Sequence, residues 1–304
     1  MSNDNLTMHF KSIAQLHQKA GLAKPKHPLF SITRFEDFPA IENEDRVKII
    51  CDFYQITLKT EAACKIQYGQ TMFDFDDGVI SCFAPRQVSI IDKDFVFAKK
   101  GWQLSIHPDF FRTYPLGQKI HDYSFFEYSV NEALIVSEDE EKSLETIFRQ
   151  IEKEYLLPID SFSQDLVVSN IDLLLTYCNR YYNRQFVLRK PKNDSLLARF
   201  EKLLNDYYEN EVTDKGLPTV TSIAAKLNLS PKYLGDCLKS ITGQNTFQLI
   251  HEKLIEKAKE RLSTSQLSVS EIAYDLGFEH PQSFSKFFKT KTQVTPLDFR
   301  RSFN

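Results

Sequence analysis

The sequence predicts an α+β chain, with an antiparallel β-barrel or jelly roll carrying two helices ahead of an all-helical domain. Three observations predict it. Residues 45–106 are rich in β-branched and aromatic residues broken by turn signals, the pattern of many short strands. From Ser137 onward apolar residues recur at helical spacing. Within the helical part, residues 223–250 resemble residues 272–300, a repeat with a period of about 50 residues.

The elements follow in order. Residues 1–30 read as an N-terminal arm, helical over "FKSIAQLHQKAGL" and ended by Pro25 and Pro28. "RVKIICDFYQITLKT", "CKIQYG", "TMFDFDDGVISCFAP" and "QVSIIDKDFVFAKKGWQLSIH" read as strands, with Asp76-Asp77-Gly78 as a tight turn. Ser137 and Glu140 form a capping box, in which each side chain satisfies an orphan backbone N–H of a new helix. Pro158 separates that helix from a second, whose Leu166, Ile171, Leu174, Leu175 and Cys178 recur near helical spacing. This stripe suits packing on the chain's own barrel or pairing with a second chain. "LRKPKND", residues 188–194, is charged and proline-broken and reads as a linker. The expected domains are therefore 1–187 and 195–304.

Composition narrows the function. The chain has 304 residues, 42% hydrophobic and 26% charged, as expected for a soluble two-domain protein. No run of 18 apolar residues occurs, so no membrane span is expected. The start lacks a basic segment followed by an apolar block, so no secretory signal is expected. Cysteines 51, 64, 82, 178 and 237 are scattered and form no C-x-x-C, which suits buried free thiols in a reducing, cytoplasmic setting. Seven histidines contain no H-x-H pair, and "DFDDG" lacks the spacing and closing Glu of a calcium loop. No phosphate-binding Gly-rich loop and no G-x-S-x-G occurs. The expectation is no metal, no cofactor, no catalytic residues and no enzyme activity. Net charge is −3, but residues 195–304 hold 15 basic against 13 acidic residues. Lys286, Lys289, Lys291, Arg300 and Arg301 near the end face only Asp298, a modest cationic bias.

The repeat carries the sharpest signal. Ile223, Ala224, Leu227 and Leu229 match Ile272, Ala273, Leu276 and Phe278. After one extra residue, Pro231, Leu234, Leu238, Lys239 and Thr242 match Pro281, Phe284, Phe288, Lys289 and Thr292. In the second copy Ser268 and Glu271 cap a short helix, Gly277 ends it, and Phe284, Phe287 and Phe288 fall on one face of the next. In the first copy Asn228 stands at the Gly277 position, since Asn tolerates the left-handed conformation. Ser230 is a good N-cap, and Pro231 suits the first helical position. A short helix, a tight turn and a second helix make a helix-turn-helix pattern, here at about 220–243 and 268–292.

These residues, with "HEKLIEKAKERLSTS" between the copies, resemble the DNA-binding domain of the AraC/XylS family of bacterial transcription regulators. The resemblance implies that the second helix of each unit enters the major groove of double-stranded DNA and that a linker helix at about 247–263 holds the units in fixed relation. The outward positions are Lys232, Tyr233, Gly235, Asp236 and Lys239 in copy one. In copy two they are His280, Gln282, Ser283, Ser285, Lys286 and Lys289. Gln pairs bidentately with adenine, and Lys reaches guanine or a phosphate. Gly235 offers no reading atom and Asp236 is anionic, so copy one is expected to bind more weakly or more selectively. Gln293 replaces the Gly that Gly243 supplies in copy one, which questions the turn geometry there.

The N-terminal part resembles the sensor half of the same family more weakly. That resemblance implies a cupin-like barrel that binds a small-molecule effector and helices that pair two chains into a homodimer; the family resemblance as a whole implies an activator with RNA polymerase as a partner. Tyr54, Phe73, Phe83 and Trp102, with Phe95 and Phe97, are candidates to line an effector site, and equally candidates for plain core.

Overall fold

A computed structural model of the protein describes residues 6–39, 47–60, 64–68, 71–75, 78–91, 100–129, 132–188 and 190–302. The chain divides into two units, Met1–Gln185 and Phe186–Asn304.

The first unit is built on a five-stranded antiparallel sheet. Its strands are β2 (Phe30–Arg34), β4 (Tyr54–Thr60), β7 (Gly78–Phe83), β9 (Lys100–Ile106) and β10 (Leu134–Val136), in the order β10-β7-β4-β9-β2. Strand side chains alternate between faces, so the register sorts them. One face carries Ile56, Leu58, Ile80, Leu104 and Ile106, all fully buried. Two helices belong to this unit's core. In α3 (Glu138–Leu156), Leu144, Phe148 and Ile151 have no exposure, and in α4 (Ser163–Leu188) neither do Ile171, Leu174, Leu175 and Cys178. The opposite sheet face is buried but polar, with Ser31, Thr57, Ser81 and Ser105 each under a tenth exposed.

A second sheet holds β1 (Leu6–Phe10), β3 (Val47–Cys51) and β8 (Val88–Ile91). β1 pairs with β3 in parallel, so the sheet is mixed. Phe10, Cys51 and Phe53 pack there with Ile13 and Leu16 of α1 (Ile13–Lys19). β5 (Cys64–Tyr68) and β6 (Thr71–Phe75) form a separate hairpin. The expected single antiparallel barrel is thus corrected: among the described residues the strands form three sheets, none closed. The physical reason is the parallel β1–β3 pairing, which takes the N-terminal arm into a sheet of its own. A short helix, α2 (Leu116–Lys119), lies between β9 and β10 in the chain. The expected turn at Asp76-Asp77, and Phe95 and Phe97, lie outside the described residues.

Cys51, Cys82, Cys178 and Cys237 are buried free thiols, as expected. Burial pushes the Cys51 thiol up to about 12, which leaves it without thiolate character near neutrality. No described helix is long and apolar enough to cross a membrane.

The second unit is helical. It comprises α5 (Lys190–Asn210), α6 (Val212–Lys215), α7 (Val220–Lys226), α8 (Pro231–Thr242), α9 (Thr246–Thr264), α10 (Val269–Asp275), α11 (Pro281–Thr292) and α12 (Pro296–Arg301). α5 has Pro191 as its second residue, where a missing N–H costs no helical hydrogen bond. α7–α8 and α10–α11 are two helix pairs of like construction. Each opens on a capping box, Thr219 with Ser222 and Ser268 with Glu271. The Ser268 N–H donates to Glu271 Oε2 at 2.7 Å, and the Glu271 N–H donates to Ser268 Oγ at 3.2 Å. Buried Ile223, Ala224 and Leu227 recur as Ile272, Ala273 and Leu276.

Candidate nucleic-acid interface

Two left-handed residues turn each pair. Between α7 and α8, Asn228 takes φ 58°; between α10 and α11, Gly277 takes φ 84°. The end of the second helix repeats the device, with Gly243 at φ 76° after α8 and Gln293 at φ 66° after α11. Gly243 and Gln293 both donate their N–H back one turn, to Lys239 O at 2.9 Å and Lys289 O at 2.8 Å. Gln293 therefore keeps the turn that glycine makes in the first copy, at the cost of a left-handed L residue. Its side chain adds a bond from Nε2 to Thr290 O at 3.1 Å.

The buried sides of α8 and α11 fix what the other sides can offer. In α11, Phe284 and Phe288 are fully buried. Their rings meet at 5.9 Å, and Phe288 meets Phe299 of α12 at 5.5 Å. Burying each such ring stabilises the helix's seat by about 2–3 kcal/mol. Opposite them, Gln282, Ser283, Lys286 and Lys289 are exposed and Ser285 is half-buried. His280, exposed, stands at the N-cap of α11, but its side chain makes no capping bond. These six residues form one continuous polar face at the start and along one side of α11. Thr290 and Lys291, also exposed, extend it; Thr290 lies four residues from Lys286, a spacing that could have singled it out.

α8 presents a thinner face. Lys232 and Lys239 are exposed, and Gly235 and Asp236 are half-buried. Tyr233 is not on this face: it is 4% exposed. Its backbone N–H takes the Ser230 cap at 3.2 Å, and its ring packs on Phe186 at 5.3 Å. The residue that matches it in α11, Ser283, is exposed. A ring of that size beside Phe186 is more stable removed from water than facing it, which turns Tyr233 inward.

Charge distinguishes these helices from α9. There, Lys253 pairs with Glu256 at 2.9 Å and Lys257 with Glu260 at 3.2 Å, an arrangement typical of a solvated helix surface. Among the described residues, Lys232, Lys239, Lys286 and Lys289 have no ion-pair partner. Four uncompensated ammonium groups on two like-built helices suit a polyanion.

The candidate effector-lining residues do not converge. Tyr54 and Trp102 share the apolar face of the five-stranded sheet, while Phe83 lies on the other. Tyr54 packs on Phe111 at 5.8 Å and Phe126 at 5.0 Å. Trp102 stacks on Phe148 at 6.0 Å, with the guanidinium groups of Arg34 and Arg149 over its ring at 5.4 and 5.1 Å. Phe83 lines a small crevice with Phe125, Tyr128 and Tyr182. Phe73 lies on β6, its side chain outside the described set.

Known proteins match the same region. Residues 223–302 fit the family described as "Helix-turn-helix domain". The uncharacterised transcriptional regulatory protein YesN of Bacillus subtilis is 39% identical over 77 residues, 25% of this chain and 21% of that protein. The raffinose operon transcriptional regulatory protein RafR of Pediococcus pentosaceus is 36% identical over 84 residues, 28% of this chain and 30% of that protein. The chain thus spans less than a third of either curated relative. The crystal structure of the C-terminal domain of a yesN response regulator from Fusobacterium nucleatum is 34% identical, covering 33% of this chain and 96% of that one, with a TM-score of 0.29. With the paired helices, their caps and these sequence matches together, residues 223–302 form a helix-turn-helix domain similar to those of AraC/XylS-family transcription regulators.

Proposed function

We propose that the protein is a sequence-specific DNA-binding transcription regulator, acting as an activator, in which α8 and α11 each enter a major-groove segment. The observation that carries this is the doubled helix pair, whose exposed second helices hold the unpaired lysines 232, 239, 286 and 289. Two such helices on one face of DNA would read segments about one turn, or 10 bp, apart. His280, Gln282, Ser283, Ser285, Lys286 and Lys289 supply the base-reading groups; Lys232, Gly235, Asp236 and Lys239 form the second contact. Selection from a randomised duplex pool with the full-length chain tests the reading. Enrichment of a bipartite motif with parts about one turn apart is expected. No enrichment of any motif overturns it.

The first unit is read as a sensor for a small polar molecule. The buried polar sheet face of Ser31, Thr57, Ser81 and Ser105 supports a ligand with hydroxyl or amide groups better than the aromatic residues do, which are committed to packing. A real effector raises the melting temperature by mass action, so a metabolite screen by thermal shift tests this. Pairing of two chains along α4 is supported by its exposed Leu166 and Leu173, together with Ile159 and Phe162 just before it. Sedimentation of the wild type against Leu166→Glu, Leu173→Glu checks it: a monomeric wild type removes the dimer. Activation through RNA polymerase follows from the family resemblance, and transcription in vitro with the purified polymerase tests it.

A further inference from the structure

α9 serves the two candidate reading helices and the rest of its unit with different halves. Its C-terminal half holds α10 and α12: Arg261 Nε lies 3.4 Å from Asp275 Oδ2, and Arg300 Nε donates to Leu262 O at 3.2 Å. Its first two turns hold α8 and α11. The α8 side is short and stiff. Gly243 makes the left-handed turn, and Thr242 Oγ1 accepts from the Gln244 N–H at 3.1 Å. Asn245 and Gln248 close a capping box, with both bonds at 2.9 Å. At Gly235, a Cβ would lie 3.7 Å from Thr246 Oγ1, so the start of α9 rests directly against α8.

The α11 side is an aromatic contact. The His251 ring lies 3.9 Å, centroid to centroid, from Phe247 one turn earlier, and meets Phe287 of α11 edge-on at 4.9 Å. Phe287 continues to Phe278 at 5.8 Å, and Phe278 to Phe284 at 5.4 Å. Phe247 is 58% exposed, so its ring reaches His251 without being part of the buried core. The repeat makes the point sharper. The residue of α8 equivalent to Phe287 is Cys237, fully within the core, and the equivalents of Phe247 and His251 are Leu297 and Arg301, both exposed on α12. The aromatic triad is therefore no inheritance of the repeated unit. It is particular to the side of α9 that meets the second candidate reading helix.

We infer that the Phe247–His251–Phe287 contact sets the distance and angle between α8 and α11, and so selects the spacing between the two DNA segments the protein accepts. The inference rests on the reading that both helices enter DNA. It makes His251 and Phe247 positioning residues: neither needs to touch a base, and both decide where Gln282 and Lys286 fall relative to Lys232 and Lys239. Ridges of packed rings resist sliding, because each ring pair loses contact area when the helices shift. Removing the central ring leaves α11 seated on its own core through Phe284 and Phe288 but free to shift along α9.

The test is a spacer series. The bipartite motif selected by the full-length wild type is rebuilt with its two parts moved closer or further apart by single base pairs, and binding to each duplex is measured. The wild type is expected to prefer one spacing by about tenfold over its neighbours, a difference of about 1.4 kcal/mol. His251→Ala and Phe247→Ala are expected to flatten that preference to about threefold or less while keeping the wild-type sequence within each part. His251→Phe, which restores a ring, is expected to restore the spacing preference. Lys286→Ala serves as the contrast, losing discrimination within one part while keeping the spacing. Spacing preference unchanged in both alanine variants overturns the inference alone. Absence of any bipartite motif in the wild type overturns the two-helix reading and this inference with it. Phe247 is mostly exposed, so its alanine variant keeps the test alive if His251→Ala does not fold.

Discussion

Gly277→Ala is the sharpest perturbation the structure offers, because Gly243→Ala controls for half of it. Both glycines have positive φ, 84° and 76°. An L residue held there costs about 1–2 kcal/mol. At Gly243 that is the whole effect, since nothing lies within 4 Å of an added Cβ. At Gly277 the Cβ would sit 2.7 Å from Val212 Cγ2, 2.9 Å from the Gly216 carbonyl carbon and 3.0 Å from Val212 O. Two of these are backbone atoms of α6 and its C-terminal turn. That turn is itself tied down by Tyr207, whose hydroxyl donates to Gly216 O at 3.1 Å. The neighbours cannot swing away as a side-chain tip would, so an overpacking cost of about 1–3 kcal/mol adds to the backbone strain. The expected destabilisation is then about 2–5 kcal/mol for Gly277→Ala against about 1–2 for Gly243→Ala. Urea unfolding of the full-length chain, followed by hydrogen exchange of the α7–α12 amides, reads the second unit. Fluorescence of Trp102, the chain's single tryptophan, reads the first unit and is expected not to move. Equal losses for the two variants, or a smaller one at Gly277, would refute the argument that α6 braces the turn.

Other outcomes follow from the same reasoning. Gln293→Gly relieves a left-handed L residue and is expected to stabilise the second unit by up to about 1 kcal/mol in thermal unfolding, offset in part by the lost bond to Thr290 and the freer unfolded chain. Ser268→Ala breaks the capping box of α10 and is expected to cost about 1 kcal/mol by the same measurement. Lys286→Ala and Gln282→Ala are expected to weaken binding to the selected site by about 1–3 kcal/mol each, read by titration of labelled duplex at fixed salt. The Arg34 guanidinium, bonded to Glu152 at 2.6 and 2.5 Å, holds that carboxyl below its usual range. The folded form then binds fewer protons than the unfolded form at acid pH. This stability is present above about pH 4.5 and is lost as pH falls through the lowered value. Glu152→Gln is expected to flatten the acid limb of a Trp102-monitored unfolding profile, and an unaltered limb would rule the pair out as its source.

The second unit was legible because its signals are local. Ser268 and Glu271 are three residues apart, Asn228 and Gly277 act on their own backbone, and Pro281 and Pro231 mark helix starts wherever they occur. Even the inward Phe284 and Phe288 follow from spacing alone. Tyr233 escaped the same logic because the residue that turns it inward, Phe186, lies far away in sequence, and tyrosine is at home on either face. The first unit was legible as strands and two helices but not as an assembly. The β1–β3 pairing joins Leu6 to Val47, and nothing near either segment announces the other. β2 and β10 were missed because five and three residues give no period to count. Trp102 read as a possible pocket wall because the two arginines that flank it come from β2 and α3. Of the outward face, the cationic positions were visible in the repeat; the aromatic join of α9 to α11 was not, because it breaks the repeat.

The parallel pairing of β1 with β3 also bears on how the chain acquires its structure. Leu6–Phe10 can dock only after Val47–Cys51 and the intervening segment have found their places, and closing so long a loop slows a folding step. The helical unit places its backbone hydrogen bonds within its own helices, between residues four apart, and these form quickly. A ribosome nonetheless delivers the slow half first. In a refolding experiment from denaturant, the C-terminal half should therefore become protected from exchange before the N-terminal sheet does, whereas during synthesis all three strands of that sheet leave the ribosome first and have the time of helix synthesis in which to close.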